Sequence, residues 1–501
     1  MVMTAFLPDA VLLLAVLLAL INETMARVST AKEGVPSSAS RRTYAIALGA
    51  SVLAAFGAAL LAALDTQTYS FFSKMFVIDP FANMMKAAVA AGFAISLVYS
   101  RAYLEARNLL RGDWIMLAMF SLIGQCVMIS GAHFLTLYLG LELMSLPLIA
   151  MIALRRDSAH SLEAAIKYYV LSALASGVLL YGISMIYGAT GALHLDEVSR
   201  ALSTGDINRT VLIFGVVFVI AGVAFKLGVA PFHMWIPDIY QGAPTALTLL
   251  IGGAPKIATL AWSLRILASG LLPLAVDWQR MLAILAALSL VVGNLAGLMQ
   301  SNIKRMLAYS AIAQMGFVLL GVLSGVVNGQ TRGAANAYGA AMFYSLIYAL
   351  TALGSFGVVL ALSRRGFEAE QLADLKGLSQ RHPMCAFVML IMMFSLAGIP
   401  PTAGFYAKFA VLQALMNTGS VWLAALAVIT SLIGAFYYLR VVKWMYFDAP
   451  AKCAPITTAS GVRALLVMNG VAVLALGLLP GPLMSTCMHA IHHALYSQWR
   501  L

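Results

Sequence analysis

The chain has 501 residues, of which 62% are hydrophobic and only 10% are charged. Soluble globular domains carry about 25% charged residues, so this composition excludes a soluble protein and indicates a polytopic membrane protein. The formal net charge of +12 does not indicate binding to nucleic acid. The basic residues are scattered over the loops between apolar runs, where the positive-inside bias of membrane proteins explains most of them.

The sequence contains no motif for a nucleotide, redox or metal cofactor. Its four cysteines are widely separated and form no C-x-x-C pair: Cys126, Cys385, Cys453 and Cys487. We therefore expect neither a zinc site nor an iron–sulfur cluster, and no glycine-rich nucleotide-binding pattern appears. Three histidines near the end of the chain have a spacing seen in metal sites: His489, His492 and His493. They have no acidic partner nearby, so we interpret them as part of a frayed end and predict no metal site.

The apolar runs predict an all-α membrane fold. Each is about 17 to 25 residues long, which is the length that a helix needs to cross a bilayer, and only helices or closed barrels span lipid. The first run has no basic residue before it, so we interpret it as a retained helix and not as a signal peptide. We predict fourteen spans, near residues 4–22, 44–64, 80–100, 114–130, 133–153, 162–187, 211–228 (continuing brokenly to about 240), 245–268, 280–299, 303–325, 336–362, 383–416, 421–446 and 462–480.

The charges of the loops predict the orientation. When the N-terminus is placed outside, most basic residues fall in inner loops, and a smaller set falls in outer loops and span ends, where we count Lys86 and Arg265. This bias predicts that both termini lie on the outer side. Because the loops are short, we expect no separate soluble domain.

Two predicted spans are interrupted by proline in a similar way. The seventh contains GVAPFHMWIP, with a break at Pro231, and the twelfth contains SLAGIPPTAGFYAKF, with a break at Pro400 and Pro401. Interrupted helices at corresponding places in two halves indicate a transporter repeat. We predict that spans 4–8 and 9–13 are two repeats, which must be inverted because each has an odd number of spans. The predicted divisions are 1–113 (spans 1–3), 114–268 (first repeat), 280–446 (second repeat) and 447–501 (span 14 and tail).

Four charged side chains lie well inside predicted spans: Glu142, Lys226, Lys256 and Lys408. Each costs roughly 2.5–3.5 kcal/mol at a helix centre on insertion scales, and a fold does not need four such residues for stability. A carboxylate within about 4–6 Å favours the protonated form of a lysine, so we interpret Glu142 as a partner that modulates the charge of Lys226. The structural alternatives are a static ion pair and, for Lys226, snorkelling towards an interface.

The histidines near the breaks allow two interpretations. His233 follows the first break and could relay a proton between Lys226 and Lys256, or it could bond to backbone groups that the break leaves free. His133, between the fourth and fifth spans, is interpreted as structural. Further polar residues could hold ordered water: Tyr138, Ser145, Tyr309, Ser310, Gln314 and Tyr406. Because neither broken span carries the cluster of Asp, Asn and Ser that a sodium or sugar site would have, we predict that the substrate is the proton.

The motifs LELMSLP around Glu142 and FKLGVAPFHMWIPDIYQGAPT after Lys226, with lysines on the eighth and twelfth spans, resemble the antiporter-like subunits of respiratory complex I. The superfamily also includes subunits of multisubunit cation/proton antiporters and membrane-bound hydrogenases. The resemblance covers essentially the whole chain and is greatest to the subunit N family of bacterial NADH–quinone oxidoreductase. Lys408 disfavours the subunit M family, and the chain ends too soon after the fourteenth span for the long lateral helix of subunit L.

The resemblance implies that Glu142 and Lys226 form a pair, that Lys256 is the central relay and that Lys408 is the exit-side residue. It implies a proton pathway in a bacterial inner membrane and no redox centre in this chain, with FMN, iron–sulfur clusters and quinone in partner subunits. The expected partners are other membrane subunits of the complex, including neighbouring antiporter-like subunits. Two alternatives remain: a cation/proton antiporter subunit without redox coupling, and a structural scaffold for quinone-binding partners.

Overall fold

The structure is a computed structural model that describes residues 2–29, 38–205, 207–327, 329–331, 333–450 and 459–498. Most of this part is helical. A small antiparallel hairpin, β1 (Tyr69–Phe71) and β2 (Phe76–Ile78), lies between the second and third spans. The helices are α1 (Val2–Ala5), α2 (Leu7–Ser29), α3 (Ser38–Leu64), α4 (Pro80–Ala106), α5 (Gly112–Ser130), α6 (Phe134–Ala153), α7 (Ala159–Thr190), α8 (Leu195–Thr204), α9 (Arg209–Leu227), α10 (Trp235–Gly242), α11 (Thr245–Gly252), α12 (Ala254–Leu264), α13 (Ala275–Leu298), α14 (Ile303–Leu323), α15 (Ala334–Leu362), α16 (Leu378–Arg381), α17 (Pro383–Ala397), α18 (Ala403–Met416), α19 (Val421–Tyr446), α20 (Ser460–Leu478) and α21 (Gly481–Gln498).

The predicted spans are confirmed. In the described part of the chain, 13 segments are long and apolar enough to cross a membrane, and the shorter apolar helices α17 and α18 together form the broken twelfth span. The seventh span is broken between α9 and α10, as predicted. The eighth span was predicted as one continuous helix, but it is also interrupted, at Gly253 between α11 and α12, and it ends in a π-helical turn over Arg265–Gly270.

Burial places the eighth span at the centre of the molecule. The apolar window of Thr245–Gly270 is entirely buried, and Ile303–Leu323 and Ala334–Leu362 are nearly so. By contrast, most of Ser38–Leu64 and Ser460–Leu478 faces outward. The ionisable groups of the eighth span therefore lie in the protein interior and not against lipid.

Close helix pairs recur in the two predicted repeats. Between α5 and α6, a Cβ added at Gly124 would lie 2.3 Å from the backbone nitrogen of Met144, and between α13 and α14 one at Gly293 would lie 2.7 Å from that of Ala313. Small residues let membrane helices approach to backbone contact. The fourth and fifth spans thus pack as the ninth and tenth do, which agrees with the predicted correspondence between the repeats.

Two amphipathic helices were not predicted. One is α8, and the other is α21, which packs against α4 and α15. The C-terminal segment that we interpreted as frayed is therefore a helix up to Gln498, with Cys487 and Ile491 buried against the protein. Its three histidines lie on the exposed face. Among the described residues, no group of three or more His, Cys, Asp and Glu side chains is placed to hold a metal ion.

Two basic residues that we counted at outer span ends are instead buried in the protein. Lys86, which we counted at an outer span end, is buried in α4 and donates to Asp9 of α2 at 2.6 Å. Arg265 is also buried and forms a two-pronged ion pair with Asp79, with both N–O distances 2.8 Å. Asp79 additionally caps α4 by accepting from the backbone of Ala82. Each buried charge meets its partner because the neutral surroundings make an unpaired charge costly.

Candidate functional site

The first break is closed by a glycine in the left-handed conformation. α9 ends at Leu227, and Gly228 follows with φ +76°. The backbone N–H of Gly228 returns to the carbonyl of Ala224 at 2.8 Å, and that of Val229 returns to the same carbonyl at 3.0 Å. This termination leaves the carbonyl of Leu227 without a partner within the helix.

Lys256 supplies the missing partner. Its Nζ atom donates to the carbonyl of Leu227 at 2.7 Å, although the lysine belongs to α12 of the eighth span. The side chain is 2% exposed. Gly228 leaves room for it, because a Cβ there would lie 3.4 Å from the amine and only 1.8 Å from Ile236. A cation at the C-terminus of a helix also lies at the negative end of the helix dipole.

The second break repeats this arrangement. α17 ends at Ala397, and Gly398 follows with φ +83°. The N–H groups of Gly398 and Ile399 both return to the carbonyl of Phe394 at 2.9 Å, which is the pattern seen at the first break. The Nζ atom of Lys408 then donates to the carbonyl of Ala397 at 2.9 Å. Lys256 and Lys408 therefore hold equivalent places, although one comes from a neighbouring span and the other from the second half of the same span.

Lys408 has a second partner that Lys256 lacks. Its amine also donates to the hydroxyl of Ser431 on α19 at 2.6 Å, and it lies 5.2 Å from the ring centre of Phe317. The side chain is half-buried, so one flank reaches the outer surface of this chain. This position suits a residue that exchanges a proton with the surroundings.

Lys226 points away from the break and towards α6 and α7. Its amine donates to the hydroxyls of Ser145 at 3.0 Å and of Ser172 at 2.8 Å. The residue is 5% exposed. Its hydrogen bonds therefore go to neutral hydroxyl groups inside the protein, and the alternative of snorkelling to an interface does not occur.

Glu142 does not touch Lys226. No ion pair within 4.0 Å joins them, and Glu142 instead accepts a short hydrogen bond from the hydroxyl of Ser176. Ser172 and Ser176 lie one turn apart on α7, as Glu142 and Ser145 do on α6. Each residue of the implied pair thus bonds to serines and not to the other. We call these three serines the serine bridge: Ser145, Ser172 and Ser176.

Sequence reasoning named Ser145 only as a water-holding candidate and missed the two serines of α7. The signal was present, since Ser172 and Ser176 are four residues apart on the sixth span and share a helix face. That spacing alone does not reveal which neighbouring helix the face meets.

His233 lies in the irregular segment between α9 and α10, half-buried, with its ring 6.5 Å from that of Tyr309. Its hydrogen bonds do not include either of the two lysines.

The groups between Lys226 and Lys256 are aromatic. The ring of Phe225 lies 5.7 Å from the amine of Lys226 and 5.6 Å from the ring of Trp235. The ring of Trp235 in turn lies 5.3 Å from the amine of Lys256. The indole N–H of Trp235 donates to the carbonyl of Phe225 at 2.8 Å, which fixes the ring.

A buried polar cluster adjoins the second break. Gln314 of α14 donates to the carbonyl of Leu396 and to the hydroxyl of Tyr438, both at 3.1 Å, and accepts a short hydrogen bond from Tyr344. The Tyr438 hydroxyl also shares a 2.5 Å hydrogen bond with Ser310. Ser310 and Gln314 were predicted as water-holding residues, whereas the two tyrosines were not singled out. The cluster brings hydroxyl and amide groups next to the residue that precedes the Lys408-bound carbonyl.

Comparisons with known proteins identify the family that has this arrangement of helices. Residues 131–434 match the family model described as NADH:quinone oxidoreductase/Mrp antiporter, TM. A protein of Paraburkholderia phymatum named NADH-quinone oxidoreductase subunit N is 62% identical over 498 residues, which cover 98% of this chain and 99% of that protein.

Solved structures agree. A chain of respiratory complex I from Thermus thermophilus with bound Aureothin is 30% identical, with a TM-score of 0.79 over 95% of this chain and 98% of that one. A chain of the Mrp complex from a Dietzia species has a TM-score of 0.81 at 20% identity, with 97% of each chain covered, and this likeness supports the fold alone. The chain belongs to the antiporter-like membrane subunits of NADH-quinone oxidoreductase, in the subunit N family.

Proposed function

We propose that this chain carries protons along Glu142, Lys226, Lys256 and Lys408, as the antiporter-like subunit of a proton-pumping NADH-quinone oxidoreductase. The observation that carries the proposal is the equivalent placement of Lys256 and Lys408 at the two helix breaks, each bound to a carbonyl that its helix leaves unpaired. A lysine in this position is held by its bond to the carbonyl and by the helix dipole, with Ser431 as a further partner for Lys408. It can therefore change its charge with little rearrangement.

The serine bridge supplies a way to modulate Lys226. Glu142 and Lys226 bond to different serines and not to each other, so their electrostatic interaction depends on how α6 and α7 are aligned. A closer carboxylate favours the protonated lysine, and a more distant one leaves desolvation to favour the neutral amine. A small shift of α6 against α7 would therefore load or release a proton at Lys226.

From Lys226 the proposed path continues to Lys256 and then to Lys408. Lys226 and Lys256 are both fully surrounded by protein, whereas Lys408 is half-buried and joins α17, α18 and α19. The polar cluster around Gln314 supports the last step, because the amide of Gln314 bonds to the carbonyl of Leu396 beside the second break. His233 is proposed as an accessory group that holds water over the first break, since it donates to neither lysine.

The energy for transfer comes from quinone reduction in other subunits. We propose that FMN, iron–sulfur clusters and quinone reside in those partners and that this chain acts without its own redox centre. Neighbouring antiporter-like subunits would transmit the conformational change through the membrane arm. The antiporter without redox coupling is not favoured, because the full-length relative at 62% identity is a subunit N and the likeness to the Mrp complex extends only to the fold.

The chain is a multi-pass inner-membrane protein, and we propose that both termini lie on the periplasmic side. The bias of basic residues towards the inner loops supports this orientation. A single cysteine introduced at Ser497, in a variant without the native cysteines, tests it by labelling intact cells with a membrane-impermeant thiol reagent. Labelling before lysis is expected, and labelling only after lysis contradicts the orientation.

The proton path is tested by Lys226→Met in the intact complex. This change keeps the length of the side chain and removes its charge. We expect proton pumping to be lost and quinone reductase activity, which is coupled to it, to fall. Lys376→Met is the matched control, because Lys376 is 40% exposed and pairs only loosely with Asp448 at 3.9 Å. If Lys226→Met left both pumping and quinone reduction unchanged, the proposed path would be wrong.

A further inference from the structure

An open groove of about 580 Å³ lies between α3 and α4, away from the charged residues of the proposed path. We call it the arginine groove. Arg41, Leu48, Gly49, Val52 and Leu53 of α3 line it, and Arg101 of α4 stands at one end. The hydroxyl of Tyr44 donates to the carbonyl of Leu97 at 3.2 Å and ties the two helices together along the groove. The groove is therefore a fixed feature of the surface.

One end of the groove is basic. Arg41 is in the first turn of α3, and Arg101 is near the end of α4, so both lie close to helix ends. Arg101 has 54% of its side chain exposed and is turned over the ring of Tyr44, with 5.2 Å between guanidinium and ring centre. Its acidic neighbour Glu105 accepts one hydrogen bond at 3.3 Å and is itself 36% exposed. Arg41 and Arg101 together outweigh the one carboxylate of Glu105, so this end keeps a net positive charge.

The remainder of the groove is apolar and exposed. Val52 is 51% and Leu53 is 63% exposed, and a Cβ added at Gly49 would meet no atom within 4 Å. Arg41 and Leu53 are 12 positions apart, which is about 18 Å along a helix. One leaflet of the hydrocarbon core is about 15 Å thick, half of roughly 30 Å. The groove thus has the length of one leaflet, with its cationic end at headgroup level.

We propose that the arginine groove binds one anionic phospholipid, with the phosphate between Arg41 and Arg101 and an acyl chain along Gly49, Val52 and Leu53. Arginines bind phosphate through paired N–H donors, and basic pockets between membrane helices bind anionic headgroups. A free phosphate ion would leave the apolar length unused, and a neutral lipid would leave the charged end unmatched. The occupant is therefore an anionic lipid and not an ion or a zwitterionic lipid.

The test uses the purified intact complex with a photoreactive phosphatidylglycerol, and the labelled peptides of this chain are identified by mass spectrometry. We expect labelling in α3 and α4. Because an arginine near the surface contributes about 1 kcal/mol to binding an anionic lipid, Arg41→Gln and Arg101→Gln should each weaken labelling roughly fivefold. Gly49→Phe should block it, because the added ring fills the open part of the groove.

Arg42→Gln is the matched control, since Arg42 is exposed beside Arg41 but does not line the groove. It should leave labelling almost unchanged. Equal labelling of the wild type and the Arg41→Gln/Arg101→Gln variant would overturn the proposal. So would equal competition by phosphatidylcholine, or competition by inorganic phosphate alone. Loss of this chain from the complex in Gly49→Phe, with assembly intact in both arginine variants, would also overturn it by indicating that a protein segment fills the groove.

Discussion

Lys256 and Lys408 bind the same kind of atom at two different helix breaks. Each amine donates to the last carbonyl before a left-handed glycine, at 2.7 Å for Lys256 and 2.9 Å for Lys408. The two glycines also carry the same return hydrogen bonds to the preceding turn. Each amine therefore lies at the negative end of a helix dipole, and this shared feature makes the two sites suitable for successive occupancy.

The glycine at the first break should be required for function as well as for stability. Gly228→Ala places a methyl group against Ile236 and close to the Lys256 amine. The left-handed backbone adds a cost of roughly 1–2 kcal/mol. We expect a lower unfolding temperature of the complex and reduced pumping per NADH oxidised.

The control for this change is Gly191→Ala. Gly191 ends α7 with φ +70°, and a Cβ there meets no atom within 4 Å. It bears the same backbone cost without the steric conflict, so pumping per NADH should stay at the wild-type value. Equal pumping in the two variants would contradict a specific role for the space at Gly228.

Removal of the Lys256 charge should stop proton transfer with little effect on folding. Lys256→Met leaves the carbonyl of Leu227 unpaired but also removes a buried charge, and these effects oppose each other. We expect an assembled complex of nearly unchanged thermal stability that does not pump, measured by vesicle acidification during NADH oxidation.

Lys304→Met separates proton transfer from helix capping. Lys304 is 1% exposed and also donates to a buried carbonyl, that of Ala243 at 2.9 Å, while pairing with Glu370 at 3.0 Å. The complex with Lys304→Met should be less stable but should pump the same number of protons per electron as the wild type. If Lys304→Met abolished pumping as Lys256→Met does, capping and not charge transfer would explain the role of Lys256.

The serine bridge should couple Glu142 to Lys226. A hydrogen bond of this kind contributes about 1 kcal/mol, so Ser172→Ala and Ser176→Ala should each slow pumping roughly fivefold. Ser96→Ala is the control, since this buried serine donates to the carbonyl of Gly92 in its own helix. In a double-mutant cycle, Ser176→Ala should have little further effect once Glu142→Gln is present. Fully additive losses would show that the serine does not act through Glu142.

The ion pair between Arg265 and Asp79 should be structural. Removing one partner of a buried pair costs roughly 3–5 kcal/mol, because the remaining charge is uncompensated. Asp79→Ala should therefore strongly lower the unfolding temperature and the yield of assembled complex. Asp79→Leu combined with Arg265→Met should recover part of this loss. Any complex that assembles should pump with the wild-type ratio, and a selective loss of pumping would place the pair in the proton path instead.

The residues that sequence reasoning found share one property: each is an anomaly within its own segment. Lys226, Lys256 and Lys408 interrupt apolar runs, and Gly–Pro patterns mark the breaks. The prediction that Lys86 and Arg265 lie at outer span ends was wrong for the opposite reason. Each lies near a span end and looks like a loop charge, and its burial depends on a partner 77 or 186 positions away. Such pairing is set by the packing of α2, α4 and α12, which hydropathy does not encode.

The other differences from the predictions have similar causes. A long apolar window does not detect α8 or α21, because one face of each is polar. The continuous eighth span was predicted from its apolar length, whereas Gly253 and the following proline interrupt the helix and put Lys256 into the first turn of α12. The implied pair of Glu142 and Lys226 depends on how α6, α7 and α9 pack, and each of the two residues bonds to serines and not to the other. How the chain divides into repeats stays a prediction, and which residues act is a prediction that the proposed variants test.

The central position of the eighth span has a consequence for biogenesis. Thr245–Gly270 is the least apolar of the thirteen candidate spans, is enclosed by its neighbours, and carries both Lys256 and Arg265. Alone in a bilayer it would expose these charges to hydrocarbon, with no carboxylate of its own to pair them. It must therefore leave the translocon together with the helices that pack around it. The central span of the protein is thus the span least able to enter the membrane by itself.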